Sequence, residues 1–103
     1  MPPPVRIAFW RSVAYESQGD WKSASRWLRW GIDHSRPESN NAQFMRLGLA
    51  HDYHRARNRA AELATMREIV AVKQRYPQTW GYYAKLARLG LEEAARKQGE
   101  PRR

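Results

Sequence analysis

The chain has 103 residues, a formal net charge of +9 and no cysteine. This length is enough for one compact domain but not for two cores, and the lack of cysteine excludes disulfides and thiolate zinc sites. No stretch approaches the roughly 18 apolar residues of a membrane span, and the proline-rich start lacks the apolar core of a signal peptide. We therefore expect a soluble, cytoplasmic protein without membrane partners: a single helical domain over residues 1–98 and a mobile basic tail over residues 99–103.

The first part of the chain predicts a hairpin of two helices. Apolar residues recur at spacings of three and four from Val5 to Gln18, which indicates the first helix. Gly19 ends this helix, and Asp20 caps a second one that continues to His34. One side of the first helix is expected to carry Phe9, Trp10, Val13 and Ser17, and the inner stripe of the second to carry Trp21, Ala24, Leu28, Gly31 and Ile32.

The second part predicts further helices after a loop at residues 35–40. Residues 41–76 contain no proline, and we expect a break near Arg57 and Asn58 because asparagine can cap a new helix. Pro77 marks the next boundary, and Trp80 to Gln98 is the fifth predicted helix. The fourth helix is expected to bury Leu63, Met66, Ile69, Val70 and Tyr76; the fifth is expected to pack on two sides, through Trp80, Tyr83, Ala87, Leu91 and Ala94 on one and Tyr82, Leu86 and Leu89 on the other.

The first hairpin carries a family resemblance. Residues 15–24, with the sequence YESQGDWKSA, have an aromatic residue before a turn glycine, an aromatic residue after it and then an alanine. This pattern, continued by Leu28 and Gly31, resembles a tetratricopeptide repeat (TPR). A shift of 36 residues aligns Ala8, Phe44 and Trp80, but it places Arg55 where the second unit should have its turn glycine, and Ala8, Arg11 and Ser12 depart from the usual first-helix signature.

The predicted fold class is all-α. About five helices form antiparallel hairpins, either in a small bundle or in a short TPR-like array. The resemblance implies that such an array would bind a partner on its concave side.

Charge and arginine content point to an anionic partner. Fifteen of the 19 basic residues are arginine, and residues 55–103 carry 12 Lys/Arg against five Asp/Glu. Arginine binds phosphate bidentately, so a segment dense in arginine is a candidate phosphate contact, although such a segment is often only a solvated face. If residues 51–59 stay helical, spacings of four place His51, Arg55 and Arg59 on one face. The candidate anion-binding residues are His51, His54, Arg55, Arg57, Arg59, Arg67, Lys73 and Arg75.

A second candidate surface lies on the second predicted helix. Trp27 and Trp30 fall away from its inner stripe and beside Arg26 and Arg29. Tryptophans beside arginines can stack on bases, hold a hydrophobic residue of a partner, or cover a neighbouring helix of the same fold.

Catalysis is not expected. The sequence has no glycine-rich phosphate loop, nucleophile elbow or paired carboxylate motif, and three histidines without cysteine make a poor metal-ligand set. We expect no enzyme activity, no cofactor and no metal.

Two classes of function remain. The first is a basic helical subunit that contacts a nucleic-acid backbone without sequence specificity, within a ribonucleoprotein or DNA-bound assembly. In size and charge such a subunit is similar to the small helical subunits of CRISPR effector complexes, although no residue motif connects them. The second is a TPR-like adaptor that binds an acidic peptide or a partner subunit. Other protein subunits are expected partners in both cases, and self-association is compatible with either.

Overall fold

A computed structural model describes residues 1–99 of the chain. Within this range it contains five α-helices and no strand: α1 (Pro3–Ser17), α2 (Trp21–Asp33), α3 (Asn40–Arg55), α4 (Arg59–Arg75) and α5 (Tyr82–Gly99). The all-α prediction is confirmed, and the loop after Arg55 lies where a break between the third and fourth helices was predicted. Gly99, assigned to the tail, is the last residue of α5, and residues 100–103 lie outside the described part.

Each helix packs against its neighbours in the chain, and α3 also contacts α5. The Cα atoms span 50 × 36 × 15 Å. A thickness of 15 Å corresponds to two layers, since helix axes lie about 10 Å apart and the Cα radius is about 2.3 Å. Contacts between alternate helices define these layers: Phe9 of α1 meets Phe44 of α3, and Arg29 of α2 pairs with Glu68 of α4. We call α1, α3 and α5 the odd helices.

The α1–α2 and α3–α4 hairpins turn in the same way. Gly19 has φ +74°, and Arg57 takes the equivalent place 38 residues later with φ +59°. The next residue caps the following helix in both turns: Asp20 Oδ1 accepts from the Ser23 amide at 3.1 Å and Asn58 Oδ1 from the Ala61 amide at 3.2 Å. The residue that replaces the turn glycine is therefore Arg57, because Arg55 still belongs to α3.

The apolar core consists of two clusters. The larger one joins the first three helices, and the smaller one joins α4 to α5 through Ile69, Ala84 and Ala87. Gly31 allows close packing in the larger cluster, because a Cβ at this position would lie 2.8 Å from Met45 Sδ. The larger cluster is formed by Val5, Leu28, Ile32, Met45 and Leu49.

Two predictions of buried faces were wrong, and the prediction for α4 was right in part, since Met66 and Val70 pack against the cluster around Ile69. Trp10 is 61% exposed, because Val5, Ala8 and Ser12 form the buried side of α1 instead. The second face of α5 is also open, and Leu89 is 54% exposed, because α5 packs on α4 and α3 from one side only. Of the residues expected to be buried in α4, Ile69 is buried and the other four are half-buried. Three further residues that were placed on packed faces are exposed: Ser17, Trp80 and Tyr82.

The two equivalent turns predict opposite effects of glycine on stability. Gly19→Ala should lower the free energy of unfolding by about 1 kcal/mol, because a side chain is strained at positive φ. Arg57→Gly should raise it by about 0.5–1 kcal/mol for the same reason. Urea denaturation measures both. A Cβ at Gly19 meets nothing within 4 Å, so the backbone conformation alone is tested. Equal effects of the two substitutions would contradict this account.

Candidate functional site

The basic segment at the α3–α4 turn does not form a continuous ladder. The helix ends after Arg55, so Arg59 begins α4 instead of continuing the face of His51. Arg59 Nη1 lies 3.1 Å from Glu62 Oε1, and His54 Nδ1 lies 3.2 Å from Glu62 Oε2. Glu62 is buried and neutralises part of the segment within the fold.

The two remaining members of the ladder contact an aromatic side chain. The Arg55 guanidinium lies 5.1 Å from the centre of the Trp21 ring, and the His51 ring meets the same tryptophan edge-on at 6.1 Å. Both side chains are exposed, and their contacts with the Trp21 ring hold them near the start of α2.

The basic residues of α4 do not share one face. At about 100° per residue, Arg59, Arg67, Lys73 and Arg75 spread over roughly 200° of the helix. The Arg75 guanidinium lies 5.7 Å from the Tyr76 ring centre, and Lys73 Nζ donates to Pro77 O and, at 2.6 Å, to Thr79 O. Lys73 thus closes the loop before α5.

Two of the predicted anion-binding residues have neither a carboxylate nor an aromatic ring as a partner within residues 1–99. Arg57 and Arg67 are exposed, and neither forms an ion pair with a carboxylate in residues 1–99. They lie in the α3–α4 turn and in the middle of α4. The structure therefore separates the predicted basic band into a few free cations and several that hold the fold together.

The aromatic pair of α2 is half-buried. The Trp27 ring lies beneath the Arg11 guanidinium at 4.6 Å, and Trp30 packs on the larger core cluster while stacking on His34 at 3.8 Å. Arg29 Nη1 donates to both carboxylate oxygens of Glu68 at 3.0 and 3.2 Å. Trp27 and Trp30 therefore pack mainly against other residues of the same protein. Arg26 remains exposed beside a cavity of about 310 Å³.

Lys73 should be a structural residue. Lys73→Met removes donors to two loop carbonyl groups and should lower the free energy of unfolding by about 1 kcal/mol, as measured by urea denaturation. The matched control is Arg67→Met, which should change stability by less than about 0.5 kcal/mol. Unchanged stability of the Lys73 variant would show that this side chain is available to an external anion.

A chain of six aromatic rings crosses the odd helices. Ring centres of Phe9 and Phe44 are 5.7 Å apart, those of Phe44 and Tyr83 are 6.3 Å apart, and Trp80 meets Tyr83 at 5.5 Å. We call the whole set the aromatic row: Trp10, Phe9, Phe44, Tyr83, Trp80 and Tyr82.

Most of the aromatic row faces outward. Trp10 is 61% exposed, Phe44 44%, Trp80 56% and Tyr82 48%. Aromatic rings contribute more apolar area than any other side chains, so leaving four of them open to water removes a large stabilisation from the free protein. Contiguous exposed apolar surface is typical of interaction sites in proteins, so the aromatic row is a candidate for one.

A pocket opens beside the aromatic row, between α1, α3 and α4. Its volume is about 650 Å³, and its walls are mainly apolar. We call it the odd-helix pocket. Its polar wall contains Glu16, His51, His54 and Glu62; its apolar lining includes Phe9, Val13, Leu28, Phe44, Leu47 and Met66.

Two carboxyl groups meet at the polar wall. Asp52 is completely buried, and its carboxyl is adjacent to that of Glu16, which lines the pocket. Burial, together with the hydrogen bond to Glu16 and the negative charge of Glu16, raises the pKa of Asp52 to about 8. Asp52 therefore holds a proton at neutral pH, because an ionised carboxylate is disfavoured in a buried place beside a second carboxyl group. We call Glu16 and Asp52 the acid pair.

The acid pair predicts a pH-dependent stability. A carboxyl with a raised pKa in the folded state stabilises the fold at low pH and loses this contribution as the pH rises, here from about 4 toward about 8. Asp52→Asn should flatten this dependence and increase stability at pH 8, as measured by urea denaturation across the range. His51, whose Nδ1 lies 3.9 Å from Asp52 Oδ1, remains in both proteins.

The exposed Asp33 at the end of α2 provides the control. Asp33→Asn should keep the pH dependence of the natural sequence, since Asp33 is open to solvent. If the free energy of unfolding of the natural protein does not change with pH between about 4 and 8, or rises in that range, the raised pKa of Asp52 is contradicted.

Sequence reasoning missed both the aromatic row and the acid pair. The 36-residue shift already aligned Phe44 with Trp80, and the same shift aligns Glu16 with Asp52. The shift does not predict the part of the aromatic row on α1, because it aligns Phe44 with the buried Ala8 and not with Phe9 or Trp10.

Comparison with protein-family models, with curated proteins and with solved structures finds no match to this chain. Within residues 1–99, none of the helices combines the length and apolar content needed to cross a bilayer. In the same range no three His, Asp or Glu side chains come together as a metal-ligand set.

Proposed function

We propose that this protein is a non-enzymatic, TPR-like adaptor that binds a segment of a partner protein across the odd helices. The aromatic row carries this proposal. It presents four exposed rings from three different helices as one surface, next to an apolar pocket of about 650 Å³. Aromatic side chains are enriched in the centres of protein interfaces, where they supply contact area at a small cost in conformational entropy.

The charges near the pocket favour a protein ligand over a phosphate backbone. Glu16 and Glu62 line the wall, and Asp52 is in contact with Glu16. The three arginines that stack on rings do so on Trp27, Trp21 and Tyr76, outside the aromatic row. A nucleic acid stacked on the row would bring its phosphates toward carboxylates.

Nucleic-acid backbone binding remains the second candidate. Exposed Arg57 and Arg67, and the net charge of +9, favour it. In that case the chain would be a subunit of a ribonucleoprotein or DNA-bound assembly, with contacts at the α3–α4 turn and along α4 and no reading of base sequence.

The test compares two double variants with two probes. A displayed library of short random peptides is selected on the natural protein, and the affinities of selected peptides and of a single-stranded oligouridine are measured by fluorescence anisotropy. Trp10→Ala with Phe44→Ala should weaken peptide binding at least about tenfold, because these exposed rings supply the central contacts. Arg57→Glu with Arg67→Glu is the matched control and should leave peptide binding unchanged.

Three outcomes contradict the adaptor. The first is failure of the library to yield a binding peptide. The second is oligouridine binding that falls by orders of magnitude between about 50 and 200 mM salt and is abolished by the arginine variant alone, which supports the second candidate. The third is a stable dimer in analytical ultracentrifugation that the Trp10→Ala, Phe44→Ala variant dissociates, since the row would then be covered by a second copy.

A further inference from the structure

The acid pair differs from two other glutamates that pack within the fold. Glu62 is paired with Arg59 and His54, and Glu68 with Arg29 and Arg46. In residues 1–99 neither Glu16 nor Asp52 forms an ion pair with lysine or arginine. The core therefore supplies a cation to each of the other two acids but not to this pair.

Asp52 is an unpartnered polar group in the interior. Its exposed fraction is 0%, and apart from the neighbouring Glu16 carboxyl neither of its carboxylate oxygens has a hydrogen-bond partner among the described residues. The imidazole of His51 is near, but its Nδ1 lies 3.9 Å from Oδ1, beyond hydrogen-bond distance. Burial of an ionised acid without a donor costs free energy, and protonation of Asp52 reduces that cost in the free protein.

Glu16 connects the buried acid to the pocket. It is half-buried and lines the odd-helix pocket, and its carboxyl is in contact with that of Asp52. Phe9 and Phe44 of the aromatic row line the same pocket. An apolar side chain and a cation placed a short distance apart on one ligand would therefore meet an apolar wall and a carboxyl group at the same time.

We propose that the partner segment is amphipathic and basic: its apolar side chain fills the odd-helix pocket, and a lysine or arginine beside it binds the Glu16 carboxylate of the acid pair. This inference rests on the proposed function. It names the chemistry of the partner, and it favours a basic segment where the overall charge of the chain predicted an acidic one. The cation pairs with a pocket carboxyl that has no basic partner in residues 1–99, and the proton of Asp52 leaves to solvent because a nearby positive charge stabilises the ionised form.

Binding should accordingly have two measurable signatures. Selected peptides should carry lysine or arginine within one helical turn of an aromatic or large aliphatic residue. Replacing that basic residue of the peptide by glutamine should weaken binding about tenfold or more, since a partly buried charge pair is lost. Calorimetry at pH 7 in two buffers of different ionisation enthalpy should detect release of up to one proton on binding.

The variant Glu16→Gln tests the acid pair directly. It should weaken binding of the basic peptide about tenfold and abolish proton release, and it should have no further effect on the peptide that already lacks its basic residue. Glu93→Gln is the matched control: Glu93 lies on the exposed side of α5, is already paired with Arg96 and Lys97, and should leave both signatures unchanged. Circular dichroism confirms that both variants remain folded.

Failure of this inference can be distinguished from failure of the adaptor. If Phe44→Ala abolishes peptide binding while Glu16→Gln leaves affinity and proton release unchanged, the adaptor stands and the basic partner is refuted. Selection of acidic peptides, or of peptides without a basic residue, refutes the basic partner as well. If no peptide binds, or if Phe44→Ala has no effect on peptides that do, both proposals fall.

Discussion

Serial packing of neighbouring helices determines the rest of this structure. Each helix packs on the next, so most of the core lies between elements that are adjacent in the chain. Alternate helices are thereby brought onto the same side of the array, where some of their side chains meet. The aromatic row and the odd-helix pocket both arise at this place. A globular bundle with α5 folded back over α1 would cover the row instead of presenting it.

The two hairpins show how one backbone geometry accepts different side chains. Their turns have the same hydrogen bonds, but buried Val5 and Ala8 of α1 are replaced at the equivalent places of α3 by Gln43 and Arg46. Both side chains form hydrogen bonds within the fold: Gln43 donates to Ile69 O at 3.0 Å, and Arg46 donates to Pro37 O at 2.7 Å. The second hairpin thus uses hydrogen bonds where the first uses apolar packing, and a sequence shift detects only part of their likeness.

Local signals predicted most of the helices, because a cap or a turn residue acts on the backbone beside it. Asp20 and Asn58 illustrate this, since each was expected to cap the helix that follows and each does so. Ion pairs between distant residues could not be predicted in the same way. Whether Arg29 is free or paired with Glu68 depends on how α2 and α4 cross, and helical spacing within α2 contains no information about that crossing.

The same limit explains the candidate site. Clustered arginines are visible in the sequence, and they suggested a band for phosphate. Their use within the fold is not visible, and Arg59 and Lys73 turn out to have partners in the protein itself. The acid pair shows the opposite case. Glu16 and Asp52 looked like ordinary polar residues of two helices, and only the approach of α1 to α3 places the Glu16 carboxyl beside the buried Asp52 and so raises the pKa of Asp52.

The terminal position of α5 has a consequence for how this array moves. An end helix is held on one side only, so it is the element expected to detach first in a local opening of the array. Trp80, Tyr82 and Tyr83 would leave with it, whereas Phe9, Trp10 and Phe44 would stay on α1 and α3. A molecule that contacts both groups of rings would hold α5 against the other helices. Amide hydrogen exchange in α5 would then be slower in its presence.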